Sequence, residues 1–286
     1  MIHELPHERR VLHGHYSREL APVLSIDAGD TVAFSCPNAG WEYERGVRFE
    51  PYDEELDAGH ALVGPVEVRG AKAGGTLVVR VGSVVPGPWG VTLAHAPTRV
   101  EWMLEDDVGV TERGLRVALA PFLGVMGMPP DEPGRHSTGP PRRCGGNIDC
   151  KELVAGTTLF LPIAVEDALV SAGDGHAAQG DGEVSQLAIE APIERAQLTF
   201  GLRDDLMLTT PIAWTPEAWL TFGFDEDLDE AAALAIDAML ELLGRERGLA
   251  RREALALASV VVDLRVTQLV NGARGIHARL AHGALR

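Results

Sequence analysis

The chain has 286 residues, of which 45% are hydrophobic, enough to build one large domain around a sizeable core. Its formal charge of −17 and pI near 4.9 exclude a nucleic-acid partner, whose phosphates call for Lys and Arg, and argue equally against an anionic membrane surface. No run of about 18 apolar residues offers a membrane span.

The opening Met1-Ile2-His3-Glu4-Leu5-Pro6 has no apolar segment of the secretory kind. Three cysteines, Cys36, Cys144 and Cys150, are an odd and sparse set that fits a reducing compartment better than a disulfide framework. A cytoplasmic protein is expected. Its partners should be small and neutral or cationic, or another copy of the chain.

One local pattern recurs three times. Ala28-Gly29-Asp30-Thr31, Ala73-Gly74-Gly75-Thr76 and Ala155-Gly156-Thr157-Thr158 each feed a β-branched or apolar run of strand length. Two of them also follow a strand-like run, Pro22–Ile26 and Pro65–Arg69, so hairpins are the simplest expectation. Irregular spacing argues against a solenoid. Between Gly109 and Pro141 six prolines break the chain into a long loop, expected to wall a pocket. Further strands are predicted at 168–171, 184–190 and 193–202. After about residue 225 the texture turns helical: acids open Asp225–Gly244, Ala and Leu recur at helical spacing, and a glycine stops it. A second helix is predicted from Arg251 and a closing strand over Gly275–Leu280. The acidic first helix makes a DNA-reading helix pair a poor account. The fold class expected is therefore β-rich α+β. A sandwich- or barrel-like β body of hairpins fills about residues 1–224, with a helical pair over 225–286 packed on it, all in one domain.

The stretch from Cys144 to Glu183 is the richest in chemistry. It reads Cys144-Gly145-Gly146-Asn147-Ile148-Asp149-Cys150 and, after a strand-like run, Gly173-Asp174-Gly175-His176-Ala177-Ala178-Gln179-Gly180-Asp181-Gly182-Glu183. So many acids and glycines are poor core material, and glycine is kept where the backbone turns sharply or approaches a ligand. Asp149, Asp174, His176, Asp181 and Glu183 offer the oxygen and imidazole donors that a divalent cation takes, and Asp174 and His176 can share one side of an extended segment. The competing reading is that Asp174 and Asp181 only make Asx turns in glycine loops. His13 and His60 are lone histidines whose local sequence does not decide between ligand and hydrogen-bonding roles. Cys150 could serve as a thiol nucleophile, against the simpler reading of a small buried hydrophobe.

Taken together, Pro121-Phe122-Leu123-Gly124, Ser137-Thr138-Gly139-Pro140, Gly145-Gly146-Asn147-Ile148-Asp149 and the Gly173–Glu183 run resemble the acetamidase/formamidase family. The similarity extends to His13-Gly14, Gly29-Asp30-Thr31-Val32, His60–Ala71, Asp229–Ala233 and Val262–Val270, nearly the whole chain. The resemblance implies hydrolysis of short linear amides to carboxylate and ammonia, a largely β fold with added helices, and a bound divalent metal, zinc first and calcium second. On that basis Asp174, His176, Asp149 and His13 are the expected metal ligands, and Glu183 the general base. Asn147 would stabilise an oxyanion, Asp149 would assist catalysis, and Gly145, Gly146 and His60 would contact substrate. Two departures stand beside the site: Gly175, where the family often has a larger apolar residue, and Gln179, where Met is frequent. A homodimer or larger homo-oligomer is expected. A silent binding protein on the same fold and a Cys150-dependent amidase are the alternatives.

Overall fold

In the computed structural model, which describes residues 1–94 and 98–286, two large sheets lie face to face. The first has nine strands in the order Ile2–Leu5, Thr31–Cys36, Ile193–Arg203, Thr76–Pro86, Thr158–Pro162, Ile212–Trp214, Ala218–Asp225, Arg274–Ala281 and Val262–Gln268. The second has six: Gly145–Asn147, Phe122–Gly127, Val170–His176, Leu62–Val68 and Leu12–His13 in order, with Leu24–Ile26 also paired to Leu62–Val68. A smaller antiparallel sheet joins Trp89–Ala94, Thr98–Glu105, Val108–Thr111 and Arg116–Ala118. One buried cluster holds Phe34, Val79, Val81, Leu159, Leu161 and Leu198 from the first sheet with Val63, Val66, Leu123, Met126 and Ala172 from the second. Apolar burial between the layers is what holds the sandwich.

The glycine turns do something other than close hairpins. Leu24–Ile26 runs parallel to Leu62–Val68 in one sheet, while Thr31–Cys36 pairs with Ile193–Arg203 in the other. Likewise Leu62–Val68 pairs with Val170–His176, whereas Thr76–Pro86 pairs with Ile193–Arg203 and Thr158–Pro162. Both turns carry the chain across the sandwich. The third turn likewise leads into Thr158–Pro162, whose partners are Thr76–Pro86 and Ile212–Trp214. A turn signal specifies a reversal; which strand becomes the partner is decided by burial over long range.

The segment 184–190 is irregular where a strand was predicted. Glu183 and Gln186 have φ of 44° and 73°, Val184 is exposed, and only Glu190 makes bridges, to Val91 and His176. Alternation of apolar and polar residues there reflects a winding loop. The strand predicted at 168–171 starts at Val170 and runs to His176, because Asp167, Ala168 and Leu169 all take left-handed φ.

Helix α1, Leu228–Arg247, begins where Asp227 accepts hydrogen bonds from the N–H groups of Asp229 and Glu230, and ends at left-handed Gly248. Helix α2 spans Arg251–Val261. Ala231, Ala235, Met239, Leu242 and Leu243 of α1 share a buried cluster with Ile276, Ala278 and Leu280. A Cβ at Gly223 would lie 2.6 Å from the Ala235 nitrogen, so the absent side chain lets α1 lie directly on the nine-stranded sheet.

Candidate active site

Three neighbouring strands of the six-stranded sheet and the loops that leave them carry the site. Val125 of Phe122–Gly127 faces Asn147 on one side and Gly173 on the other. Asp174 and His176, two residues apart on a strand, point to the same face. Gly124 lies beneath them: a Cβ there would fall 2.6 Å from Asp149 Oδ1 and 2.8 Å from His176 Cε1, and would clash with Asp174 Oδ2. The backbone N–H of Asp149 donates to the Gly124 carbonyl at 3.2 Å, which brings the loop after Asn147 over the same spot. Asp149, Asp174 and Glu183 have φ of 52°, 61° and 44°. Three acids in the left-handed region at one place is a concentration of backbone strain of the kind found at functional sites.

Asp149, Asp174, His176, Glu183 and Glu190 are each 5% exposed or less. His176 Nε2 stands 3.3 Å from Asp174 Oδ1 and 3.4 Å from Glu190 Oε1, while Nδ1 lies 2.9 Å from Gln179 Oε1. Gln179 Nε2 in turn donates to the Asp149 carbonyl at 2.7 Å. With Gln179 accepting from Nδ1–H, Nε2 is the ring nitrogen that faces Asp174 and Glu190, and it would offer a cation its lone pair once its proton is displaced. Asn271 Nδ2 donates to Asp149 Oδ2 at 3.1 Å and Gln268 Oε1 at 2.9 Å, and lies 3.5 Å from Glu183 Oε2. Gln268 Nε2 closes the ring by donating to the Asn147 carbonyl at 2.7 Å.

The electrostatics of this cluster are frustrated. Burial, reinforced by the Glu183 charge, lifts the Asp149 carboxyl well above its ordinary range. Burial likewise raises Glu183 to about 7 and Glu190 above its usual value. For His176 burial opposes the charged form, yet Asp174 and Glu190 outweigh it and raise the imidazole well above its usual value. Burial also opposes ionised Asp174, but the charges of His176 and His60 hold it low. Asp149 Oδ1, Asp174 Oδ1 and Glu190 Oε2 are buried without a hydrogen-bond partner. An unpaired buried carboxylate oxygen is strongly unfavourable, and a divalent cation is the group that satisfies several at once. Two sets, Asp149–His176–Glu183 and Asp174–His176–Glu190, hold donor atoms mutually within 4.8 Å. The donor chemistry, carboxylate oxygen with one imidazole nitrogen, fits a hard or borderline divalent metal.

Of the residues singled out from sequence, the structure brings together Asp149, Asp174, His176 and Glu183, with Asn147 adjacent and its Oδ1 buried without a partner. It does not bring His13 there. His13 sits between the His15 carbonyl (Nδ1, 2.7 Å) and the Ser171 hydroxyl (Nε2, 2.9 Å), so neither ring nitrogen is free. Asp181 pairs with Lys151 Nζ at 3.1 Å at the surface. His60 is half-buried and anchored on Thr138 Oγ1 at 2.9 Å, near enough to Asp174 for its charge to be felt. The Gly145 N–H is spent on the Arg142 carbonyl, which leaves it no hydrogen to offer a substrate, and Gly146 at φ 99° shapes the turn. Cys150 is buried, donates its thiol to Glu152 Oε2 at 3.2 Å, and is held protonated by that burial, whereas a thiol nucleophile acts as thiolate.

Sequence reading missed Glu190, Gln268 and Asn271. Glu190 looked like a strand residue. Asn271-Gly272 is a turn dipeptide between two strands, a signal for a hairpin tip that says nothing of chemistry. Gly175 is filled from outside: a Cβ there would meet Ile193 Cδ1 at 2.5 Å. A cleft of about 770 Å³ opens nearby between Trp102, Lys151, Glu152, Gln179, Ile189 and Arg265, but Gln179 alone of the residues ringing the cluster lines it. The acids themselves are enclosed.

Fold and site define a strand-rich enzyme with an enclosed acid–imidazole centre. The sequence pattern of the Acetamidase/Formamidase family matches residues 131–274, half of the chain. The crystal structure of an acetamidase from Bacillus halodurans is 29% identical, with a TM-score of 0.86 over 98% of this chain and 97% of that one. An acetamidase from Yersinia enterocolitica, at 21% identity, shares the fold with a TM-score of 0.88 over 100% of this chain and 94% of that one. A Schizosaccharomyces pombe protein named as a formamidase is 27% identical over 77% of this chain and 74% of its own length. The chain belongs to the acetamidase/formamidase family. It is an amidohydrolase, acting on C–N bonds as its named relatives do.

Proposed function

We propose that the buried acid–imidazole cluster hydrolyses short linear amides of the formamide and acetamide kind, with the help of one divalent cation. The observation that carries this reading is a set of three partnerless buried carboxylate oxygens, of Asp149, Asp174 and Glu190, on residues gathered around His176. Asp149, Asp174, His176 and Glu190 would hold the metal, zinc in preference to calcium because a nitrogen donor is present and calcium takes six or more oxygens. When bound, such a cation lowers the pKa of its water and polarises a carbonyl.

The residues of the chain supply the rest. Glu183, on the loop nearest the surface, accepts the proton of the attacking water and returns it to the departing nitrogen. The Asn147 side chain hydrogen-bonds the oxygen that gains charge as the carbonyl carbon becomes tetrahedral. Asn271 keeps the Asp149 and Glu183 carboxylates apart and aimed. His60 borders the substrate. Enclosure limits the substrate to small amides and excludes bulk water. Residues 1–286 act as one unit, located in the cytoplasm as three free thiols favour. Exposed Leu255, Val260 and Leu264 on the helical side support a homodimer or larger assembly, which sedimentation would measure.

The test is ammonia release from formamide and acetamide by purified protein, before and after chelation, with zinc and calcium added back. Chelation should abolish turnover and one metal should restore it. Asp174→Asn should lose turnover and bound metal together, and a metal-free Asp174→Asn protein that still released ammonia would overturn the reading.

A further inference from the structure

A second group of ligand-type side chains lies outside the site just described. Cys150 and Glu152 leave the loop that carries Asp149, and His277 comes from the strand Arg274–Ala281 of the other sheet. Cys150 Sγ is 3.2 Å from Glu152 Oε2, and Glu152 Oε1 is 3.6 Å from His277 Nε2. One donor atom from each lies within 4.8 Å of the other two. We infer that Cys150, Glu152 and His277 form a second divalent-metal site, suited to zinc, that clips this loop to the nine-stranded sheet.

The independent sign of a ligand is His277. Its ring is fully buried, its Nδ1 lies 2.8 Å from the Thr267 hydroxyl, and its Nε2 is buried with no partner and faces the thiol and the carboxylate. A hydrogen bond from Nδ1–H to Thr267 fixes the tautomer that leaves the Nε2 lone pair free, which is how metal-bound histidines are held. The spacing also suits the ion. Zinc bonds of about 2.0–2.3 Å in a tetrahedron set donor atoms roughly 3.3–3.6 Å apart. The two distances, each to a different Glu152 oxygen, stand close to that range. A small inward shift would bring one oxygen, Sγ and Nε2 from within 4.8 Å of one another to that spacing. Sulfur, nitrogen and oxygen together favour zinc over calcium or magnesium. Binding releases the thiol proton to solvent and replaces the Cys150–Glu152 hydrogen bond with two metal bonds.

Of the three ligands Glu152 lines the 770 Å³ cleft, beside Lys151 and Arg265, and an ion and its water would enter from that side. Arg265 Nη1 holds Glu152 Oε1 at 3.1 Å from the exposed side and keeps the carboxylate turned inward. This site shares no residue with the acid–imidazole cluster.

Cobalt(II) titration of the metal-free full-length protein tests the inference without reference to amide turnover. Wild type should develop a thiolate-to-cobalt charge-transfer band with one equivalent bound at the sulfur. Cys150→Ser should lose the band, and His277→Gln should weaken cobalt binding at least tenfold. Asp174→Asn should keep the band while losing the other equivalent, so failure of the amidase centre and failure of this site read differently. Cys36 and Cys144 are buried elsewhere, Cys144 on the Met128 carbonyl, so loss in Cys150→Ser assigns the sulfur. Elemental analysis of zinc-loaded protein should give one equivalent fewer for Cys150→Ser than for wild type. A folded wild type with no thiolate band, or a Cys150→Ser protein with an unchanged band or zinc count, would overturn the site. The wild-type measurement stands even where a variant fails to fold.

Discussion

Gly124 is the residue whose absent side chain makes room for the others. Its φ is not left-handed, so Ala is tolerated by the backbone and only the added methyl matters. That methyl would stand among Asp149, Asp174 and His176. Gly124→Ala should therefore lose turnover by about a hundredfold or more and release metal, with overpacking that lowers stability by about 1–3 kcal/mol. Kinetics, elemental analysis and urea unfolding on one preparation would check all three. His13 makes a different prediction. Burial lowers it from 6.5 to about 4, against the hydrogen bond to the His15 carbonyl. Between those values the unfolded chain binds the proton and the folded one does not, so stability present above pH 6.5 is lost as pH falls towards 4, up to ~3 kcal/mol. Urea unfolding at pH 6.5 and 4.5 should show a larger drop for wild type than for His13→Gln, and equal drops would contradict it. At this scale the sequence was informative where acids and glycines alternate. Asp149, Asp174, His176 and Glu183 could be read because that pattern suits no core. His13 could not, since its two partners, His15 and Ser171, include one 158 residues away.

The elements show why some chemistry was invisible. The strands Val262–Gln268 and Arg274–Ala281 are joined by a turn whose Asn271, at φ 65°, reaches Asp149, Glu183 and Gln268. The same hairpin is stitched to the glycine loop: the Gly182 N–H donates to the Thr267 carbonyl, and the Leu269 N–H to that of Gly182. An element read from sequence as structural closure is thus part of the site. Asn271→Gly keeps a residue that tolerates left-handed φ and removes only the amide. It should lower kcat/KM about 10–100-fold, the usual range for a residue that orients ligands, with little change in Tm. A variant as active as wild type would remove Asn271 from the site. Helices α1 and α2 were legible because apolar spacing and, for α1, the acidic start and glycine stop are local signals. Strand pairing was not: the turns at Gly29 and Gly74 announced reversals, but the partners lay in the opposite layer, chosen by burial of residues far away in sequence.

On the scale of the molecule, the two layers divide the labour. The six-stranded sheet supplies Asp174, His176 and, beyond its edge, Asp149, while the end of the nine-stranded sheet supplies Gln268 and Asn271. The net charge of −17 is carried largely by surface acids and leaves a neutral amide unsteered, so composition excluded partners more effectively than it named a substrate. Fold class was accessible from texture alone. The meeting of the layers was not, because no local pattern records which loop of one sheet lies over which hairpin of the other.

The hairpin that holds Asn271 also has a place in time. A chain emerging from the ribosome has made every acid of the cluster once residue 190 is out, but Gln268 and Asn271 follow some 80 residues later. Until then Asp149 and Glu183 lack the Asn271 amide that lies between them, and the Gly180–Gln186 loop has no strand to rest on. The site therefore lacks part of its framework until this hairpin has been translated, and a chain ended before it would carry the acids without the amide that lies between Asp149 and Glu183.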